Sequence, residues 1–141
     1  MQYHFKVHRE GHGYWAECIE LEGCVTQADS KGELHANMAE ALNSYLEEPT
    51  ESNMRFPLPK KSVKLRGVVK VPVEPRIAFS VLLRNLRIRK KLTQRDVADR
   101  IGMKNLYSYQ RLESSRTANP ALSTIARIKR VFPEFRLDEV V

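Results

Sequence analysis

The stretch Leu92-Thr93-Gln94-Arg95-Asp96-Val97-Ala98-Asp99-Arg100-Ile101-Gly102, continued by Tyr109-Gln110-Arg111-Leu112-Glu113 and Asn119-Pro120-Ala121-Leu122, decides the second half of this fold. Thr93 is a helix-capping residue and Asp96, three positions on, can close the cap reciprocally. A helix is therefore predicted over Gln94 to Ile101. Gly102 follows where a chain leaving a helix needs a positive φ. Ala98 is small, as a close helix crossing requires. The crossing helix is predicted over Leu106 to Ser114, burying Leu106, Tyr109 and Leu112. A further helix is predicted over Leu122 to Val131, burying Ile125, Ile128 and Phe132. Val97, Ile101, Tyr109 and Leu112 fill the small core between these helices, and the remaining polar positions point outward.

Working upstream, Phe79, Leu82, Leu83 and Leu86 occupy i, i+3, i+4 and i+7 of a preceding helix that starts near Arg76. Pro72 and Pro75 mark a boundary before it. Val63, Leu65, Val69 and Val71 alternate with Lys64, Arg66 and Lys70, which predicts a strand. Residues 47–62 carry Pro49, Pro57 and Pro59 among polar residues and form a connector, with Pro49 just past the end of a helix. That helix opens with the capping-box sequence Ser30-Lys31-Gly32-Glu33 and places Leu34, Met38, Leu42, Tyr45 and Leu46 on one face. Before it, Tyr3, Phe5 and Val7 alternate in a first strand, Gly11-His12-Gly13 turns the chain, Tyr14 to Ile19 forms a second strand, and Cys24-Val25-Thr26-Gln27 a third. The fold class is thus α+β. A β-β-β-α-β domain over residues 1–73 precedes an all-α domain over 76–132, and residues 133–141 remain as a tail, either a dimerising strand or a frayed end.

The 141 residues suit two small domains, and 42% hydrophobic with 29% charged composition is that of a globular chain. No apolar run approaches the roughly 20 residues a membrane helix needs, and the start has no signal-peptide pattern, so a cytoplasmic location with no membrane partner is expected. The net charge of +7 conceals an asymmetry. Residues 1–54 hold three Lys/Arg against ten Asp/Glu, a net −7; residues 55–141 hold 21 against seven, a net +14. The basic part suits a phosphate backbone, and the acidic part suits a basic protein or simply a solvated surface.

Residues 76 to about 132 resemble the lambda-repressor-like, Xre-type helix-turn-helix family. That resemblance implies binding to double-stranded operator DNA. It places Gln94 at a backbone phosphate and turns Tyr107, Ser108, Gln110 and Arg111 toward the major groove, with Lys104 and Asn105 at the leading end of the helix. Arg and Gln suit bidentate reading of guanine and adenine edges. Arg116, in the following loop, is assigned to phosphate. One residue more than the commonest family spacing separates Gly102 from Glu113, which leaves open which of Lys104, Asn105 and Leu106 begins the helix. Such domains usually read two half-sites, so a homodimer or higher oligomer is expected.

Tyr14-Trp15-Ala16-Glu17-Cys18, Leu21-Glu22-Gly23-Cys24-Val25-Thr26-Gln27 and the capped helix together resemble the HicB antitoxin family, whose first domain is similar to a truncated RNase H fold. The resemblance implies that residues 1–73 mask a small basic HicA-like toxin that cleaves mRNA, while the second domain represses the operon encoding both. Glu17, Glu20, Glu22, Tyr14 and Trp15 are the candidate toxin contacts, the two aromatics being equally suited to the core.

An RNase H-type enzyme needs acids gathered around metal ions, starting on its first strand. Gln2 to His8 carries none, so no catalytic residues are expected. His4, His8, His12, Cys18 and Cys24 lack a Cys-x-x-Cys pair or one-turn spacing, so neither metal nor cofactor is expected. Cys18 reads as a small inward residue beside Ala16. The alternative is a stand-alone transcriptional regulator whose first domain senses a ligand or another protein.

Overall fold

A computed structural model describes residues 1–47 and 53–141. Pro49 and the part of the connector around it lie outside the described residues. Among these residues four strands and five α-helices follow in the order β1 (Gln2–Glu10), β2 (Gly13–Cys18), β3 (Val25–Ala28), α1 (Lys31–Leu46), β4 (Val68–Pro72), α2 (Pro75–Arg89), α3 (Gln94–Arg100), α4 (Leu106–Glu113) and α5 (Leu122–Val131). The protein is mixed α+β. Its chain divides into two compact units, one built from residues 1–46 and 56–74, the other from 47–55 and 75–141.

In the first unit the sheet order is β3-β2-β1-β4, antiparallel throughout. Phe5 pairs with Cys18, Val7 with Ala16, and Arg9 with Tyr14. Side chains alternate across a pleated strand, so one face collects Tyr3, Phe5, Val7, Tyr14, Ala16, Cys18, Val69 and Val71. Helix α1 covers this face through Leu34, Met38, Leu42 and Leu46, all buried at one-turn spacing. Burying each such side chain contributes about 2 kcal/mol, so this stripe, rather than the helix's own propensity, holds α1. Only the Ser30 half of the expected capping box forms among the described residues: the Glu33 amide donates to Ser30 Oγ at 3.2 Å.

The strand expected over Val63–Val71 begins only at Val68. Gly67 adopts φ +69°, and its carbonyl accepts from the Val7 amide at 2.9 Å. That left-handed residue ends the ladder, so the alternation at Val63 and Leu65 has no partner strand and Leu65 is 58% exposed. The irregular segment before it is nonetheless pinned. Tyr3 Oη donates to the Pro57 carbonyl at 2.8 Å, and Phe56 is buried against Tyr45 with ring centroids 5.8 Å apart.

In the second unit, α2 starts with Pro75 in its first turn, where the missing amide costs nothing. Eleven consecutive residues, Ile77 to Arg87, are buried, well beyond the one apolar stripe predicted. Thr93 caps α3 reciprocally with Asp96, at 3.0 and 2.8 Å, and Gly102 has φ +75°. The core of α3 and α4 is Val97, Ala98, Ile101, Tyr109 and Leu112, as expected. Leu106 and Ile125, expected inside, are half-exposed, and Thr124 is buried on α5 in their stead. Phe132 is buried. The expected tail is neither strand nor frayed: residues Leu137–Glu139 form a 3-10 turn, Phe135 packs edge-on against Phe79 at 5.5 Å, and Lys129 Nζ donates to the Pro133 and Phe135 carbonyls.

Candidate functional site

Asn105 settles where α4 begins. Its Oδ1 accepts from the Tyr107 and Ser108 amides at 2.9 and 3.4 Å, making it the N-cap and Leu106 the first helical residue. Its side-chain oxygen is therefore committed to the helix, and Lys104 stands exposed just outside the first turn. Beyond the cap, Tyr107 is 62% exposed, and the Arg111 guanidinium, one turn on, lies 5.9 Å from its ring centroid. The cation rests on the aromatic face, which limits the conformations of both long side chains. Gln110 Nε2 donates to Gln94 Oε1 at 3.1 Å, tying the start of α3 to the middle of α4. Ser108 is half-buried, and Arg116 is exposed in the loop beyond α4. Gln94, Gln110, Arg111, Tyr107 and Lys104 thus belong to one polar, cation-bearing surface of the α3–α4 pair. Arg95 and Arg100 on α3 are also exposed.

Beneath that surface is a cluster the sequence reading did not find. Glu113 is fully buried, and it receives Arg87 through two bonds, Nε to Oε2 at 2.7 Å and Nη2 to Oε1 at 3.0 Å. Arg84 Nη2 donates to the Glu113 carbonyl at 2.8 Å, and the Tyr109 hydroxyl donates to Glu113 Oε2. Arg87 also reaches the Leu92 carbonyl at 3.2 Å and Asn53 Oδ1 at 3.3 Å. Glu113 was expected outward with the other polar positions. It turns inward because two arginines inside the buried face of α2 require a counter-charge. Burial lowers the Arg87 pKa, but the Glu113 carboxylate outweighs it and holds the guanidinium above its ordinary value. Burial first, and then the same carboxylate, push the Tyr109 phenol far above its usual range. The legible signal was the pair Arg84 and Arg87 one turn apart inside a mainly apolar run.

In the first unit the five candidate contacts separate. Trp15 and Tyr14 lie on opposite faces of β2 because they are adjacent in a strand. Tyr14 is half-buried on the α1 side, with Lys31 Nζ 6.0 Å from its ring. Trp15 stacks on His8 with ring centroids 4.0 Å apart on the opposite face, where Glu17 approaches His8 at 3.4 Å. Glu22 is exposed, its carbonyl accepting from Tyr45 Oη at 2.7 Å.

Glu20 is not available to a partner. Its side chain is 1% exposed and accepts from His4 Nδ1 at 2.7 Å and from the His4 and Lys60 amides, each at 3.0 Å. Burial raises its pKa, but these bonds prevail and hold it below the ordinary value. In place of Glu20, three carboxylates not expected to meet a partner, Glu10, Asp29 and the capping-box Glu33, line a cleft of ≈410 Å³ with Tyr14, Trp15 and Gln27. Chain ends of β1 and β3 and the start of α1 meet there, so residues far apart in sequence converge.

Cys18 and Cys24 are buried free thiols, joined by a backbone bond from the Cys18 amide to the Cys24 carbonyl at 2.9 Å. Among the described residues no group of three or more His, Cys, Asp or Glu could hold a metal ion, and no helix is long and apolar enough to cross a membrane. No protein family and no curated protein matches this chain.

Proposed function

We propose that this protein is an antitoxin of the HicB type: its first unit masks a small, basic, HicA-like mRNA-cleaving toxin, and its second binds operator DNA as an Xre-type helix-turn-helix and represses the operon. The observation that carries the reading is the capped α3–turn–α4 pair with its polar face of Gln94, Lys104, Tyr107, Gln110 and Arg111, set in a part of the chain with net charge +14. In this reading α4 enters the major groove. Arg111, held by Tyr107, addresses base edges; Gln94, Lys104 and Arg116 address phosphates; Asn105 serves chiefly as the cap. Operator recognition then takes a homodimer or higher oligomer.

The masking surface is the open face of the sheet with Trp15 and Glu17, extended by Glu10, Asp29 and Glu33. The carboxylates gathered at its Glu10, Asp29 and Glu33 end favour fast encounter with a basic toxin. The β-β-β-α-β order of the first unit supports the likeness to a truncated RNase H fold, here in a binding role.

The test separates the two activities. Arg111→Ala should weaken operator binding by about 1–3 kcal/mol in a mobility-shift titration at fixed salt, while growth of cells expressing the neighbouring toxin frame is still rescued. Unchanged DNA affinity, or loss of rescue, would refute the division of labour.

A further inference from the structure

Two of the three Lys/Arg residues in the acidic first 54 residues meet at one place. Arg9 and Lys31, with His35 and Tyr14, rim a cleft of ≈440 Å³ between α1 and the strands β1 and β4. Its floor is apolar, made by Val7, Leu34, Met38 and Val69. Among the described residues no carboxylate lines it, although ten Asp/Glu lie in the same stretch of sequence. The Arg9, Lys31 and His35 side chains are exposed and make no ion pair or hydrogen bond among the described residues; Lys31 has only its aromatic contact with Tyr14. Helix α1 lies mainly over β2 and β3, which leaves Val7 and Val69 half-buried and the floor open.

Arg9 and Lys31 above an apolar floor, with no carboxylate among the lining residues, create a local positive potential facing a greasy surface. The volume is that of a small-molecule site. We propose that this cleft binds a small amphipathic organic anion, with a carboxylate head between Arg9 and Lys31 and a branched or aromatic body on Val7, Leu34, Met38 and Val69. The arginine fork suits a carboxylate in two-point contact, and the lysine adds a point charge beside it. Inorganic phosphate would satisfy the rim and leave the floor unused. Tyr14 lines both this cleft and the neighbouring one of Glu10, Asp29 and Glu33, but the proposal rests on neither the DNA nor the toxin reading and stands if they fail.

The test is a ¹H–¹⁵N NMR titration of the full chain with benzoate, phenylpropanoate, methylpentanoate and octanoate, each beside its neutral amide, and with inorganic phosphate. At least one carboxylate should shift the Arg9, Lys31 and His35 amides saturably, with its amide and phosphate about tenfold weaker or more. Arg9→Gln/Lys31→Gln should weaken that carboxylate by a similar factor, and Val7→Phe, which fills the floor, should weaken it with the charges intact. The proposal is overturned if no carboxylate gives a saturable shift at millimolar concentration, if acid and amide bind alike, or if the double variant binds as well as the parent. The acid-against-amide comparison needs no variant, so it decides the matter even if a substitution perturbs folding.

Discussion

Glu113 neutralises one of two guanidiniums that the second unit buries, and accepts a phenol besides. Removing its charge while keeping its shape leaves the Arg87 guanidinium enclosed without the carboxylate that receives its two bonds. Glu113→Gln should therefore cost about 3–5 kcal/mol, a large part of the stability of a small domain, measurable as a lowered urea midpoint of the helical circular-dichroism signal. Glu20 makes the opposite kind of statement, one about pH. Because its folded pKa is depressed below the ordinary 4.5, its contribution is fully present above that value and is lost as pH falls through the lower folded one. Urea midpoints of the first unit, followed by emission of Trp15, the single tryptophan, should fall below pH 4.5. Glu20→Gln should flatten that slope, and an unchanged slope would sink the assignment. At this scale the sequence was legible where a residue answers to its neighbours in the chain, as Thr93 does to Asp96. It was not legible for Glu20 and Glu113, whose partners lie 16 and 26 residues away.

Elements divide on the same line. The α3–turn–α4 pair was readable because its cap, its turn and its crossing residue are local requirements. Gly102 is a clear case, since its φ of +75° strains any side chain even though the space around it is open but for Arg127 Nη1 at 3.7 Å. Gly102→Ala should destabilise the second unit by about 1–2 kcal/mol in urea titration, and Thr93→Ala by about 1 kcal/mol, while a neutral Gly102→Ala would mean that the turn relaxes without strain. Asn105 resolved the start of α4 in a way spacing could not, because three adjacent residues offered plausible starts and only the cap bonds choose among them. Strand β4 was overextended for a related reason: alternation continues through Val63 and Leu65, but a strand exists only where a neighbour pairs with it, and pairing stops at Gly67.

At the scale of the whole molecule there are two units, each with its own core. Their transitions should be separable. Trp15 emission reports the first and the helical signal is weighted toward the second, so the two urea curves should not coincide, and Glu113→Gln should move only the helical one. Coincident curves that shift together would show a single cooperative body. The same division underlies the proposed pairing of a partner-binding unit with a DNA-binding one. The order of elements, the boundary near Pro72–Pro75, the capped helices and the charge asymmetry could all be written down from the chain, because each depends on residues near one another or on composition alone. Folding decided the rest: that Glu20 is buried and Glu113 inward, that Glu10, Asp29 and Glu33 converge, that Phe135 and Val140 of the last nine residues are buried, and that Arg9 and Lys31 share one apolar cleft. Each of these is a meeting of residues distant in sequence, and no local preference encodes which distant group a buried charge will find.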